Sequence, residues 1–87
     1  MVAGMSITPA QSRAARGLLD MTQGDLARAS RVSLGTIQSF EGGQRQPTAA
    51  NLFSLRHALE AAGVVFIPSN GEGPGVRLRK PSENDAI

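Results

Sequence analysis

Between Met21 and Pro47 the chain reads MTQGDLARASRVSLGTIQSFEGGQRQP, and this stretch leaves few folds open. Thr22 and Ser33 are each set to accept a hydrogen bond from an orphan amide at the start of a helix. Leu26, Ala27, Val32, Ile37 and Phe40 fall where two short helices would close on a shared core. The pattern predicts helices over Gln23–Ala29 and Leu34–Glu41 about a tight turn, with Gly42-Gly43 ending the second. With Ile37 at the centre of the buried face of that second helix, a step of about 100° per residue brings Phe40 and Glu41 within about 60° of it. Gly35, Gln38 and Ser39 then point outward, with Leu34 and Thr36 at the flanks. A face this small and polar is narrow enough to enter a DNA major groove. There Gln38 can pair bidentately with adenine, Ser39 can bond several base edges, Leu34 can touch a thymine methyl, and Gly35 admits close backbone approach.

The flanking sequence supplies more helix. Thr8-Pro9 is a helix start, with Thr as N-cap and Pro where its missing N–H costs nothing. Helix 1 is expected to run to about Leu19, burying Ala14 and Leu18, with Ala10 and Ala15 as further candidates. The loop Gln44–Pro47 leads to Thr48, another N-cap. A helix from Ala49 to Ala62 then carries Leu52, Leu55, Ala58, Leu59 and Ala62 at helical spacing and ends at Gly63. After Gly63 the period changes. Val64–Ile67 is β-branched and aromatic, Ser69–Gly75 is turn-forming, and Val76–Lys80 alternates apolar with basic, which predicts a β-hairpin. A two-stranded hairpin is marginal alone, and its edges invite pairing. It is therefore expected to dock on helix 4 and to pair with a second chain through Val64, Val65, Phe66, Ile67, Val76 and Leu78. The alternative is a hairpin folded only against its own helices. Pro81–Ile87 reads as a short disordered tail. The expected organisation is a helical unit over 8–63, the hairpin over 64–80 as dimerisation element, and the tail over 81–87.

Composition narrows the function classes. Eighty-seven residues suit one domain near the lower size at which burial offsets chain entropy, and a partner chain would relieve that marginality. The absence of cysteine removes disulfides and thiolate metal sites. No basic-then-apolar leader and no apolar run of membrane-spanning length is present, so a cytoplasmic protein is expected. Net charge is only +2, although eight of the nine basic residues are Arg, whose fork suits phosphate and guanine. With neither Tyr nor Trp and with Phe40, Phe53 and Phe66 all in apolar patterns, no stacking platform for single strands or RNA loops is expected.

Taken in order, Thr22-Gln23, Leu26-Ala27, Val32-Ser33, Thr36-Ile37, Phe40-Glu41, Gly43 and Pro47, with Arg16 upstream and Leu52, Leu55 and Leu59 downstream, the chain resembles the phage-repressor-like (XRE, lambda-repressor-like) helix-turn-helix family. The resemblance spans roughly residues 8–62 and lies in the ordered set, not in any one dipeptide. It implies a mainly α domain of four to five helices, here with a C-terminal hairpin. Asp20 and Arg31 depart from it, standing where the family often places a left-handed Gly. The resemblance also implies that Gln23, opening helix 2, holds a phosphate with its amide and neighbouring N–H groups. It implies as well that Arg16 pairs with Glu41 to fix the tilt of the recognition helix. Arg45, in the loop that follows, is expected to contact phosphate, with Gln44 and Thr48 as weaker candidates. Arg13 and Arg31 are further candidates that the sequence does not rank. Ser33 completes the expected DNA-binding set.

Other chemistry finds no support. His57 is the only histidine and has no companion ligands, so no metal is expected. The Gly-rich run Gly71–Gly75 lacks the Lys-Ser/Thr of a phosphate loop, and no nucleophile constellation or cofactor motif is recognisable. The expectation is a non-enzymatic transcriptional regulator on double-stranded DNA, a repressor acting as a homodimer on an inverted repeat. The alternative is an antitoxin-like module that neutralises a partner protein, with DNA binding secondary.

Overall fold

The computed structural model describes residues 6–80. It contains α1 (Pro9–Leu19), α2 (Gln23–Ser30), α3 (Leu34–Glu41), α4 (Ala49–Ala62), β1 (Val64–Ile67) and β2 (Gly75–Leu78). The expected helices are therefore present, four in number, and the disordered tail expected over 81–87 lies outside the described residues. Each helix starts where a short hydroxyl side chain precedes it. Thr8, Thr22, Ser33 and Thr48 accept from the backbone N–H of Gln11, Asp25, Thr36 and Asn51 respectively. In the first two the bond is reciprocated, because Gln11 and Asp25 accept from the N–H of Thr8 and Thr22.

The turns follow from backbone chirality. Asp20 and Arg31 cap α1 and α2 at φ 56° and 62°, the left-handed region, as their alignment with family glycines implied. After Arg31 the turn is held by Ser30, whose hydroxyl donates to Leu26 O and accepts from Val32 N–H. That drives Val32 into the core and sets Ser33 at the start of α3.

Leu26, Val32, Ile37, Phe40, Leu52, Leu55 and Leu59 form the centre of the core. The expected buried face of α1 is corrected: Ala10, Ala14 and Leu18 are exposed, whereas Gln11, Ser12 and Ala15 are buried. Two polar residues can take core positions because both are bonded there. Gln11 Nε2 donates to Gly75 O at 2.8 Å, and Ser12 Oγ donates to a Glu41 carboxylate oxygen at 2.6 Å. Ala62 is exposed at the end of α4, and Phe53 is exposed too, stacked on His57 with ring centroids 6.0 Å apart.

β1 and β2 pair antiparallel with Val64 opposite Leu78 and Phe66 opposite Val76. Successive strand residues face opposite sides. Val64 and Phe66 point at α1 and α4 and are only 1% and 7% exposed. These two belong to the chain's own core and are withdrawn from the expected dimer contact. The reason is that β1 follows α4 after a single glycine, which folds the strand back onto that helix. Gly63 adopts φ 125°, open to glycine and strained for other residues.

A left-handed backbone costs a side-chain-bearing residue about 1–2 kcal/mol, least for Asp and Asn. Arg31→Gly should therefore stabilise the fold by about 0.5–1 kcal/mol once the added freedom of the unfolded chain is subtracted. Asp20→Gly should gain less. Urea midpoints of the two variants check this, and no gain at Arg31 would contradict the argument.

Candidate nucleic-acid interface

α3 presents two unlike faces. Ile37, Phe40 and Glu41 are buried, while Leu34, Gly35 and Gln38 are exposed and Thr36 and Ser39 partly so. The N-terminus of α3 is set by Ser33, which donates to Thr36 Oγ1 at 2.8 Å and accepts from Thr36 N–H at 3.2 Å. The two hydroxyls thus fix each other beside the exposed first turn.

At the other end the chain folds back. Gly43, at φ 77°, lets Gln44 N–H and Arg45 N–H both approach Ser39 O, at 2.9 and 3.3 Å. This returns Arg45 to the flank of α3. Ser33, Gly35, Thr36, Ser39, Gln44 and Arg45 then line one shallow open concavity. Six of the eight expected DNA-binding residues, Ser33, Leu34, Gly35, Thr36, Gln38 and Ser39, lie on or beside the exposed side of α3. Arg45 lies at its rim.

Gln23, the eighth, begins α2, and its side chain turns inward: Nε2 donates to Glu41 Oε1 at 3.1 Å. Its backbone N–H, at the first position of α2, has no partner within the helix. Arg13 is also engaged, donating to the Glu41 carbonyl at the C-terminus of α3.

These bonds converge on Glu41, itself 2% exposed. Arg16 grips the carboxylate with Nε at 2.9 Å from one oxygen and Nη2 at 2.6 Å from the other, and Ser12 adds its hydroxyl. Arg16 Nη1 also donates to Met21 O in the α1–α2 turn. The Arg16–Glu41 pair implied by the resemblance is therefore present. Ser12 and the inward turn of Gln23 were not foreseen; the only sequence signal was a small hydroxyl four residues before Arg16 on α1. Burial pushes the Glu41 carboxyl up, but hydrogen bonds from Arg16, Ser12 and Gln23 outweigh it and hold the group below its ordinary value. The bond to Glu41 raises Arg16 in turn, against the cost of burial.

No group of metal-ligating side chains occurs among the described residues, and no helix there is long and apolar enough to cross a membrane. A model of the helix-turn-helix family matches residues 13–61, more than half of the chain. The protein belongs to that family, in its phage-repressor-like XRE type, and is a DNA-binding regulator; the family is not one of enzymes. Comparison with curated proteins finds no match.

Glu41 makes the ion pair testable by pH. Its folded value is depressed, so its contribution is complete above the ordinary Glu value of about 4.3 and is lost as pH falls through the lower folded value. Glu41→Gln leaves Arg16 without its charge partner and should cost about 3–5 kcal/mol at pH 7. The gap between parent and variant in urea unfolding should close as pH drops below about 4. A gap that stayed constant from pH 7 to 2.5 would exclude the ionised pair as its cause.

Proposed function

We propose that the protein is a sequence-specific repressor that occupies an inverted-repeat operator as a homodimer. The observation that carries this reading is the exposed side of α3, where Gln38, Ser39, Thr36 and Leu34 offer hydrogen-bonding and methyl-contacting groups beside Arg45. Gln38 and Ser39 are assigned to base edges, Leu34 to a thymine methyl, and Gly35 to close backbone approach. Ser33, Thr36, Arg45 and the α2 N-terminus at Gln23 are assigned to phosphates.

One recognition helix touches too few base pairs to define a genomic site, and two held about 34 Å apart meet successive major grooves on one side of the duplex. The hairpin, 64–80, is the element we assign to this pairing. With Val64 and Phe66 committed inward, the contact falls to the opposite side of β1, where Val65 and Ile67 are half-buried. A second reading, an antitoxin-like module that neutralises a partner protein, is favoured by Leu18 and Leu78, which remain 43% and 52% exposed. A second small protein co-purifying with the chain would support it.

Sequencing of DNA selected from a random pool should return a palindrome. On that site Gln38→Ala and Ser39→Ala should each relax preference at particular base pairs by about 1–3 kcal/mol. Arg45→Ala should instead weaken all sequences alike and make the salt slope shallower by about one unit. A base-specific loss at Arg45, or an unchanged profile at Gln38 and Ser39, would reverse the assignments.

Val65→Glu combined with Ile67→Glu should yield monomers in analytical ultracentrifugation and abolish the preference for palindrome over half-site. A variant that is still a tight dimer would move the interface onto the helices.

A further inference from the structure

The hairpin has one closed edge and one open edge. Arg79 N–H donates to Gly63 O at 2.8 Å, one step beyond the Val64–Leu78 pair. Hydrogen-bonded and non-bonded pairs alternate along an antiparallel ladder. Val65–Arg77 and Ile67–Gly75 therefore exchange bonds, while Val64, Phe66, Val76 and Leu78 direct their N–H and C=O groups sideways, away from the partner strand. On β1 that edge is covered, since Val64 and Phe66 are buried as whole residues. On β2 it is open: Val76 is half-buried and Leu78 exposed.

The surroundings of the open edge define what fits it. α1 runs alongside β2 in the same direction, with Gln11 bonded to Gly75 at one end and Leu19 packed against Gly63 at the other. Leu18 and Ala14 lie about 20° and 60° from Gln11 around the helix, on the side away from Ser12 and Arg16. From the Gln11–Gly75 anchor, seven helical residues and three strand residues both advance about 10 Å. Leu18 is thus level with Leu78. A strand added beside β2 would rest one face over Ala14, Leu18 and Leu78, all exposed. Its other face would share the outer side of the sheet with exposed Arg77, whereas the Arg79 guanidinium is turned to α4, donating to Glu60 O at 3.1 Å.

A second copy of the same edge does not suit this site. Two of the two-fold registers that use Val76 and Leu78 set Arg77 opposite Arg77, or Arg77 opposite Arg79, of the other chain, and the third, with Val76 opposite itself, sets Leu78 opposite Pro74, which has no N–H to give. Like charges directly opposite destabilise a strand pair, and cations along an edge act against self-pairing. The edge does not serve DNA bound at α3 either, because α1 packs between α3 and the hairpin.

We propose that the open edge of β2 receives an extended segment of a partner protein whose residues alternate apolar and acidic, apolar side chains covering Leu18 and Leu78 and a carboxylate facing Arg77. Strand addition supplies the backbone bonds and the alternation supplies the specificity. This inference rests on the partner-protein reading above and gives it a site and a chemistry.

The probe is a capped eight-residue peptide alternating glutamate and valine, titrated by fluorescence polarisation into the full chain, with an alternating lysine–valine peptide as control. Binding of the acidic peptide alone, weakened at least tenfold by Arg77→Glu and by raised salt, with amide shifts at residues 76–80 and at Leu18, is the expected result. Leu78→Pro should also abolish binding. The N–H it removes points away from β1, so the ladder keeps its bonds; if that variant fails to fold, Arg77→Glu on the exposed surface decides. Equal binding of both peptides, no binding, shifts confined to α3, or self-association that Leu78→Pro abolishes would each overturn the proposal. A protein that co-purifies and is insensitive to Arg77→Glu would overturn it while leaving the partner-protein reading intact.

Discussion

The carboxylate of Glu41 is the point on which the fold is hung. It sits at the C-terminal end of α3, where the helix dipole already disfavours a negative charge, and it is withdrawn from water. Both costs are offset by donors from two other helices, Ser12 and Arg16 of α1 and Gln23 of α2. A buried pair of this kind is weak support for net stability, since desolvation opposes attraction. Its consequence is geometric. Three helices are tied at one atom group, and the bond from Arg16 to Met21 O adds the turn between the first two. That knot ties the C-terminal end of α3 to α1 and α2, and together with the buried Ile37 and Phe40 it fixes the side of α3 from which Gln38 and Ser39 point.

α1 is shared between the two sides of the molecule. Its neighbouring residues Gln11 and Ser12 reach opposite ways, Gln11 to the hairpin carbonyl of Gly75 and Ser12 to Glu41 beneath the recognition helix. Gln11 is at once the third residue of α1, closing the capping box with Thr8, and the hairpin's anchor. A hairpin of four-residue strands is ordered here because the first turn of α1 and α4 hold it, where alone it would be marginal.

How far the sequence could be read depended on whether a signal was local. The four N-caps and the split of α3 into Ile37–Phe40–Glu41 against Gly35–Gln38–Ser39 are set within a few residues and were legible, whereas the left-handed positions at Asp20 and Arg31 were implied only by the family resemblance. The inward face of α1 was legible only at Ala15. Apolarity pointed to Ala14 and Leu18, while the true contacts are made by Gln11 with a residue 64 positions away and by Ser12 with one 29 positions away. Periodicity treats Gln and Ser as outward residues, and only a distant acceptor reverses that. The hairpin was misread for a related reason. Its alternation was visible, but which of its sides met the helices depended on the turn at Gly63, so Val64 and Phe66 were grouped with Val65 and Ile67, which face the other way.

Charge shows the same dependence on placement. A net +2 with eight arginines says little until each is located. Arg16, Arg28 and Arg56 are paired with carboxylates, and Arg13 and Arg79 donate to backbone carbonyls. Of the remaining cations, Arg31 caps α2 and Arg45 lies beside α3, and Arg77 and Lys80 belong to the hairpin. Few cations are thus left for phosphate, and a protein that neutralises few phosphates draws little affinity from counterion release. Such a chain cannot rely on a broad electrostatic hold on the duplex. On the function proposed above, base contacts from α3 would have to supply a large share of the binding, and a second copy of α3 is the direct way to double them, which is the physical argument for proposing two-fold occupancy in a domain this small.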